Sequence, residues 1–329
     1  MKSGATNIKG QKKNILGGRL GLLIILVALI IIFTVLSKYF MTWDNISQLL
    51  LSISIIGIIS IGMTCVIIGG GLDLSVSANV ALTATMVGYI LHNSVSLKQQ
   101  GIAFVVGLGI GAVIGLMNGL LITRLKINPL ITTLATMVIV RGIAFLFSKG
   151  LTFGIFGSTP QFPNFGFWGR GYILTIPIPV ILMIIVLLIV FVILHYTILG
   201  REIYIVGGNE EAATVSGINV NKVKIMMYLF SGVLSAFAGI ILASRLAAGI
   251  PSSGQGYELS AIAAVVLGGA SLKGGNGRVL DTMLAVLVIG ILANGFVLMG
   301  LNTFLQDVTR GLILLISVGI DQFRQRRTV

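Results

Sequence analysis

The chain has 329 residues, of which 56% are hydrophobic and only 9% charged, with a mean hydropathy of +1.06. A soluble domain carries roughly 25% charged residues, so a soluble fold is excluded, and a single all-α, polytopic membrane helix bundle is predicted over residues 1–329. The net charge of +13 serves in such a chain to orient the spans, and nucleic acid is not an expected partner.

In chain order, Lys2, Lys9, Lys12, Lys13 and Arg19 precede an apolar run from Leu20 to Leu36. This has the outline of a signal peptide, but Ser37-Lys38-Tyr39-Phe40-Met41 offers no small-x-small cleavage site, so an uncleaved first span is expected. Apolar segments of spanning length lie near 20–37, 46–68, 74–92, 101–123, 127–148, 173–195, 225–248, 256–271, 279–299 and 302–320, about ten in all. Two of them are unusual. Segment 256–271 is short and bordered by Pro251-Ser252-Ser253-Gly254 and Gly268-Gly269, as a broken or re-entrant piece would be. Gly69-Gly70-Gly71-Leu72-Asp73-Leu74-Ser75 is so tight a reversal that Asp73 or Ser75 must start the next helix almost at once.

Basic residues set the orientation. Fifteen fall on one side: the five at the N-terminus, Arg124, Lys126, Arg201, Lys222, Lys224, Lys273, Arg278, Arg324, Arg326 and Arg327; four, Lys38, Lys98, Lys149 and Arg170, fall on the other. The positive-inside rule then makes both termini cytoplasmic. The loop 150–172 becomes the largest outer feature, its aromatics forming either an interfacial belt or a surface for an external partner. The lone Cys65 lies in an apolar run and cannot form an internal disulfide, which leaves it a packing residue.

The long polar interruption at 200–224 is cytoplasmic on this topology and carries its own helix punctuation. Asn209 is the N-cap, Glu210 and Glu211 occupy the first turn, and Gly217 follows the end. Seven residues lie between these signals, about 10 Å of helix, too short to be stable alone. The small side chains Ala212, Ala213 and Ser216 are therefore expected to pack into a partner's cleft.

The catalytic inventory is thin. His92 and His195 stand at opposite ends of spans, neither a His-Glu-x-x-His helix nor a Gly-x-Ser-x-Gly elbow occurs, and no metal site is expected. The Gly-rich turn at 274–277 lacks Gly-x-x-x-x-Gly-Lys-Ser/Thr, so this chain is expected to hold no nucleotide or other cofactor; if ATP drives it, another subunit brings the ATPase. Charged groups in a bilayer are functional candidates by default. Arg245 can snorkel to an interface. Arg310 has Asp307 one turn earlier for an intrahelical pair. Arg141 has no partner in its own helix, and it either anchors neighbouring helices through backbone carbonyls or lines a polar path. Asn79, Asn118 and Asn294 read as helix-helix glue. Arg141-Gly142 and Arg310-Gly311, five spans apart, hint at an inverted repeat of the kind found in transporters.

Several blocks in one order carry a resemblance: Val66 to Val76, Asn128-Pro129-Leu130-Ile131-Thr132-Thr133-Leu134 with Arg141-Gly142, Gly200-Arg201 through Gly217-Ile218, Tyr257 to Gly269, and Gly274-Gly275-Asn276-Gly277. From about residue 44 to 323 the chain resembles the inner-membrane permease of bacterial ABC importers of the ribose, xylose, galactose and autoinducer-2 group. It departs from the family pattern at Asp281 and Ser77, where glycine is usual; Asp281 beside Arg278 suggests a local ion pair. The resemblance implies import of a monosaccharide or sugar-like polar solute across the bacterial cytoplasmic membrane. It also implies partner ATPase subunits that bind ATP and Mg, a second permease copy, a soluble binding protein outside, and a lipid surround. It makes 200–224 the loop that docks on the ATPase, with Gly200, Arg201, Asn209, Glu210, Ala212, Ala213 and Gly217 as its coupling residues. Asp73, Arg141, Asp307 and Arg310 are the path candidates. An ion-coupled secondary transporter is the rival reading, opposed by the scarcity of acidic groups in the spans; an intramembrane enzyme is disfavoured by the missing nucleophile-base sets.

Overall fold

The computed structural model describes residues 3–326; Lys2 and Arg327 lie outside the described residues, and of Lys9, Lys12, Lys13, Arg324 and Arg326 only the helical backbone is described. The helices are α1 (Ser3–Leu36), α2 (Trp43–Ile68), α3 (Val76–Leu91), α4 (Leu97–Arg124), α5 (Pro129–Ser148), α6 (Phe167–Arg170), α7 (Ile178–Tyr196), α8 (Ile198–Gly208), α9 (Glu210–Val215), α10 (Val220–Leu246), α11 (Tyr257–Leu267), α12 (Val279–Leu298) and α13 (Thr303–Arg326). Four two-residue strands complete the description: β1 (Phe153–Gly154), β2 (Tyr172–Ile173), β3 (Ile176–Pro177) and β4 (Ala248–Gly249). They form two antiparallel pairs, β1 with β4 and β2 with β3. The fold is an all-α membrane bundle, and seven of its helices among the described residues are long and apolar enough to cross a bilayer: the Arg19–Leu36 part of α1, and α2, α4, α5, α7, α10 and α12. α3 and α11 are apolar but short, at 16 and 11 residues, or about 24 and 16 Å of helix.

The interior is built on close backbone approach. A Cβ added to Gly111 would stand 2.4 Å from the Gly232 carbonyl oxygen, and one added to Gly115 2.3 Å from that of Tyr228. Gly107, Gly111, Gly115 and Gly119 recur every four residues on one face of α4, so α10 lies against bare backbone. No larger residue fits there. α2 runs through the centre, its span nine-tenths buried, and presents Ile53, Ile55, Ile58, Ile59, Ile61 and Met63 to the main hydrophobic cluster.

The chain order conceals a repetition. Gly71-Leu72-Asp73-Leu74-Ser75 leads into α3, and Gly256-Tyr257-Glu258-Leu259-Ser260 caps and opens α11. Asn118-Gly119 on α4 answers Asn294-Gly295 on α12, and Arg141-Gly142 on α5 answers Arg310-Gly311 on α13. The packing repeats as well: α3 touches α4 and α5, and α11 touches α12 and α13. The leading helices are exchanged, with α10 packed on α3 and α4 and α2 packed on α11 and α12. The two short helices point in opposite senses. α3 starts at the end of the bundle where Gly70 meets Gly207 of α8, whereas Gly249, just ahead of the break before α11, packs on Gly88 near the far end of α3.

One expected pair is replaced. Asp281 does not take Arg278; its Oδ1 accepts from Arg19 Nε of α1 at 2.5 Å, across 262 residues of sequence. Arg278 is the residue before α12, so the Asp281 side chain in the first turn projects sideways toward α1. At the other end of α12, Phe33 of α1 fills the space above Gly295. His92 holds the β1 side of the long loop, its Nδ1 lying 2.7 Å from the Gly154 carbonyl oxygen.

Candidate functional site

At one end of the bundle α7 turns into α8 at Thr197, whose Oγ1 accepts from the Gly200 N–H at 3.2 Å. Gly200 is required by space, since a Cβ there would stand 2.2 Å from the Ile193 carbonyl oxygen. Arg201 is exposed on the first turn of α8. Asn209 ends α8 and caps α9, its side chain accepting from the Ala212 N–H at 2.9 Å. Glu210 is drawn back onto its own chain by Lys224, Nζ to Oε2 2.6 Å. Gly217 takes φ +80°, and the Ile218 N–H returns to the Ala213 carbonyl at 3.0 Å, the closing bond of a Schellman turn.

The structure corrects the expectation for Ala213, which is fully buried within its own chain. A six-residue helix lying flat must turn one residue inward to be held at all, and Ala213 is that residue. The outward face carries Glu211, Ala212, Ser216 and Val215, a β-branched apolar side chain 90% exposed.

Behind α9 the end of α8 meets two other segments through backbone alone. A Cβ on Gly207 would lie 1.8 Å from the Ile68 carbonyl oxygen and 2.8 Å from the Gly275 nitrogen. The Gly275 N–H donates to that same Ile68 oxygen at 2.7 Å, and a Cβ on Gly274 would lie 2.9 Å from Cα of Gly70. Tyr204 adds a side-chain tie, its hydroxyl donating to the Gly277 carbonyl at 2.9 Å. Burial pushes this phenol above its ordinary value, with the nearby Arg278 opposing the rise, so it stays a donor. α8 is thereby joined to the end of α2, which leads into the first break, and to the turn that follows α11.

The break before α3 is held by a converging donor chain. Thr136 Oγ1 donates to Asn118 Oδ1 at 2.7 Å, Asn118 Nδ2 to Ser75 Oγ at 2.9 Å, and Ser75 Oγ to Asp73 Oδ1 at 2.5 Å. The other carboxylate oxygen accepts from Ser231 Oγ of α10 at 2.7 Å. Every member is buried, so Asp73 knits α4, α5 and α10 around the reversal. Asn79 adds a bond to the Gly232 carbonyl at 2.8 Å.

The break before α11 lies elsewhere, among arginines. Arg141 Nη1 donates to the carbonyls of Ser253 at 2.8 Å and Pro251 at 3.3 Å. Arg310 pairs with Asp307 at 3.0 Å and reaches the space over Gly256. Arg245 donates to Ser52 Oγ at 3.1 Å, and Asn294 exchanges two hydrogen bonds with Asn45. Arg141 and Arg310 thus meet at one break, while Asp73 stands at the other. Sequence reasoning passed over Glu258, Ser231, Thr136 and Tyr204. The repeated Gly-x-acid-Leu-Ser block was the signal available for Glu258; Ser231 and Thr136 carry none that distinguishes them from other hydroxyls in helices.

Residues 45–318 match the model of the family described as branched-chain amino acid transport system, permease component. The ribose import permease protein RbsC of Bacillus subtilis (strain 168) is 46% identical over 309 residues, covering 93% of this chain and 92% of its own. The L-arabinose transport system permease protein AraH of Escherichia coli (strain K12) is 39% identical over 313 residues, with 94% and 92% covered. The L-arabinose ABC transporter permease protein AraH of Azospirillum brasilense is 37% identical over 315 residues, with 94% and 90% covered. No solved structure matches the chain. With the family model spanning most of the bundle and relatives aligned over nearly its full length, the chain belongs to this family of transport-system permease components and is a permease subunit of an ABC importer.

Proposed function

We propose that the chain imports a monosaccharide, a pentose first of all, into the cytoplasm through a pathway it shares with a second permease copy. The observation that carries the solute class is the 46% identity, over 93% of the chain, to a ribose import permease. The family description speaks instead of branched-chain amino acids; the named sugar permeases outweigh it because their identities of 46%, 39% and 37% run over 93%, 94% and 94% of this chain. The α8–α9 end is the cytoplasmic one, in keeping with Arg201, Lys222 and Lys224, and both termini lie on that side. Ten membrane segments result when α3, α11 and α13 join the seven long helices, α3 and α11 entering as partial spans buried against their neighbours.

In this reading the exposed face of α9, centred on Val215, seats in the partner ATPase, which binds ATP and Mg. A solute-binding protein meets the opposite end, where β1, β4 and the long loop lie. Closure of the ATPases displaces α8, the glycine contacts pass the movement to Gly70 and to Gly274, and the breaks before α3 and α11 exchange between outward and inward states, a population shift set by differential contacts. Reconstituted with its ATPase and binding protein, the permease should accumulate ribose with internal ATP after ion gradients are collapsed. Uptake of leucine in place of sugar, or uptake that needs the gradient, would end this reading.

A further inference from the structure

The same block stands at the start of both short helices, just ahead of α3 and in the first turn of α11, yet its acidic residue meets two different fates. Asp73 has both carboxylate oxygens filled, by Ser75 and Ser231. Glu258, its counterpart, has Oε2 buried without a hydrogen-bond partner among the described residues, and the Ser253 hydroxyl five residues earlier is buried and partnerless among them too. A carboxylate oxygen withdrawn from water and given no donor is costly, and native folds rarely leave one without a use. The cost is removed when a donor enters. At the same break Arg141 spends one nitrogen, Nη1, on the carbonyls of Pro251 and Ser253. Both side chains remain partly open. An acid and a guanidinium at one break offer an acceptor and a donor fork with little net charge between them, which suits a neutral molecule bearing neighbouring hydroxyls.

We propose that Glu258 and Ser253, held beside Arg141 at the break before α11, form the subsite that recognises the solute, taking adjacent hydroxyls of a neutral monosaccharide as the break closes over it. This rests on the sugar reading above and specifies where in the pathway the sugar is tested. Empty closure leaves Oε2 and the Ser253 hydroxyl unsatisfied; closure over a sugar satisfies both. The solute itself therefore tips the break toward its closed arrangement.

The test uses the whole complex, permease with ATPase and binding protein, in proteoliposomes with a saturating supply of loaded binding protein. Wild type is assayed first with ribose, a set of monodeoxyriboses and leucine. If it carries no sugar, the functional reading fails before any substitution is made, and this inference with it. With Glu258→Gln, ribose uptake should fall on the order of 10- to 100-fold, as for loss of one charged hydrogen bond. ATP hydrolysis and the melting temperature of the complex should stay near wild type. One deoxyribose should be carried equally by wild type and variant, because the hydroxyl that meets Glu258 is already missing from it; a merely structural role would not produce that cancellation. Ser253→Ala, a smaller change on the loop, should lower ribose uptake several-fold with the same retention of hydrolysis, and it decides the matter should the Gln variant fail to assemble. Wild-type uptake in both variants, or uptake and hydrolysis falling in parallel without any change in sugar discrimination, overturns the proposal.

Discussion

Val215 offers the sharpest test of how the permease holds its ATPase. The side chain is 90% exposed on a helix whose single inward residue, Ala213, is already used to fasten it. If a partner covers it, full burial of a valine is worth about 1.5–3 kcal/mol, or roughly 10- to 150-fold in affinity. Val215→Asp removes that term and sets an unpaired carboxylate in the contact, a further cost in the same direction. The variant side chain points to solvent in the free permease, so expression and melting temperature should match wild type. Titration of detergent-solubilised permease with purified ATPase should then show Kd raised at least about tenfold, and uptake should fall with it. Ala213→Asp is the contrasting change: it forces a charge into the chain's own interior and should lower the melting temperature of the permease alone. A Val215→Asp permease that binds the ATPase within twofold of wild type would refute the assignment of this face.

Three further outcomes are expected. Asp73→Asn should lower the detergent melting temperature by several degrees through loss of about 1.5–3 kcal/mol of charge-assisted bonding; an unchanged value would show that the donor chain from Thr136 does not hold the first break. Gly207→Ala places a Cβ 1.8 Å from the Ile68 oxygen and should leave the ATPase bound and hydrolysing while uptake per ATP drops; an unchanged ratio would remove the junction from the coupling route. Tyr204→Phe should cost about 1 kcal/mol for its lost bond to Gly277. Because burial raises the phenol above its unfolded value near 10, the stabilisation is complete below that value and is lost as pH rises through the higher folded one. The melting difference between Tyr204 and Phe should hence be constant from about pH 6 to 9, and a drift inside that window would contradict the donor role.

What could be read from sequence divides along the reach of the interactions. The cap of α9 was legible because Asn209 and Gly217 act on backbone groups within a few residues. The direction in which Ala213 faces was not, since it depends on what lies beneath the helix. Asp281 looked paired with a neighbour three residues away and instead meets Arg19, a contact that only the packing of α1 on α12 creates. Apolar length found the long helices, yet it overstated the segment at 256–271, where the helix proper is the 11 residues of α11. The repeat was visible at Arg141-Gly142 and Arg310-Gly311, but its most telling block was hidden by exchanges of Asp for Glu and Leu for Tyr. Glu258 went unnoticed because no short-range motif marks a side chain whose Oε2 has no hydrogen-bond partner among the described residues.

The meeting of Gly207, Ile68 and Gly275 has a bearing on leakage. Side chains that touch across an interface can absorb a small displacement by turning about a bond. Bare backbone has nothing to turn, and so the contact has no play. On the proposed coupling route, a push on α8 would reach the approach to the first break and the turn that follows α11 together. Two doors with separate hinges can stand ajar at the same moment; two doors hung from one rigid pin, facing opposite ways, cannot easily do so. A cell that keeps its ion gradients across this membrane would gain from that economy of parts, because protection against an open pore would come from the geometry of a few missing side chains.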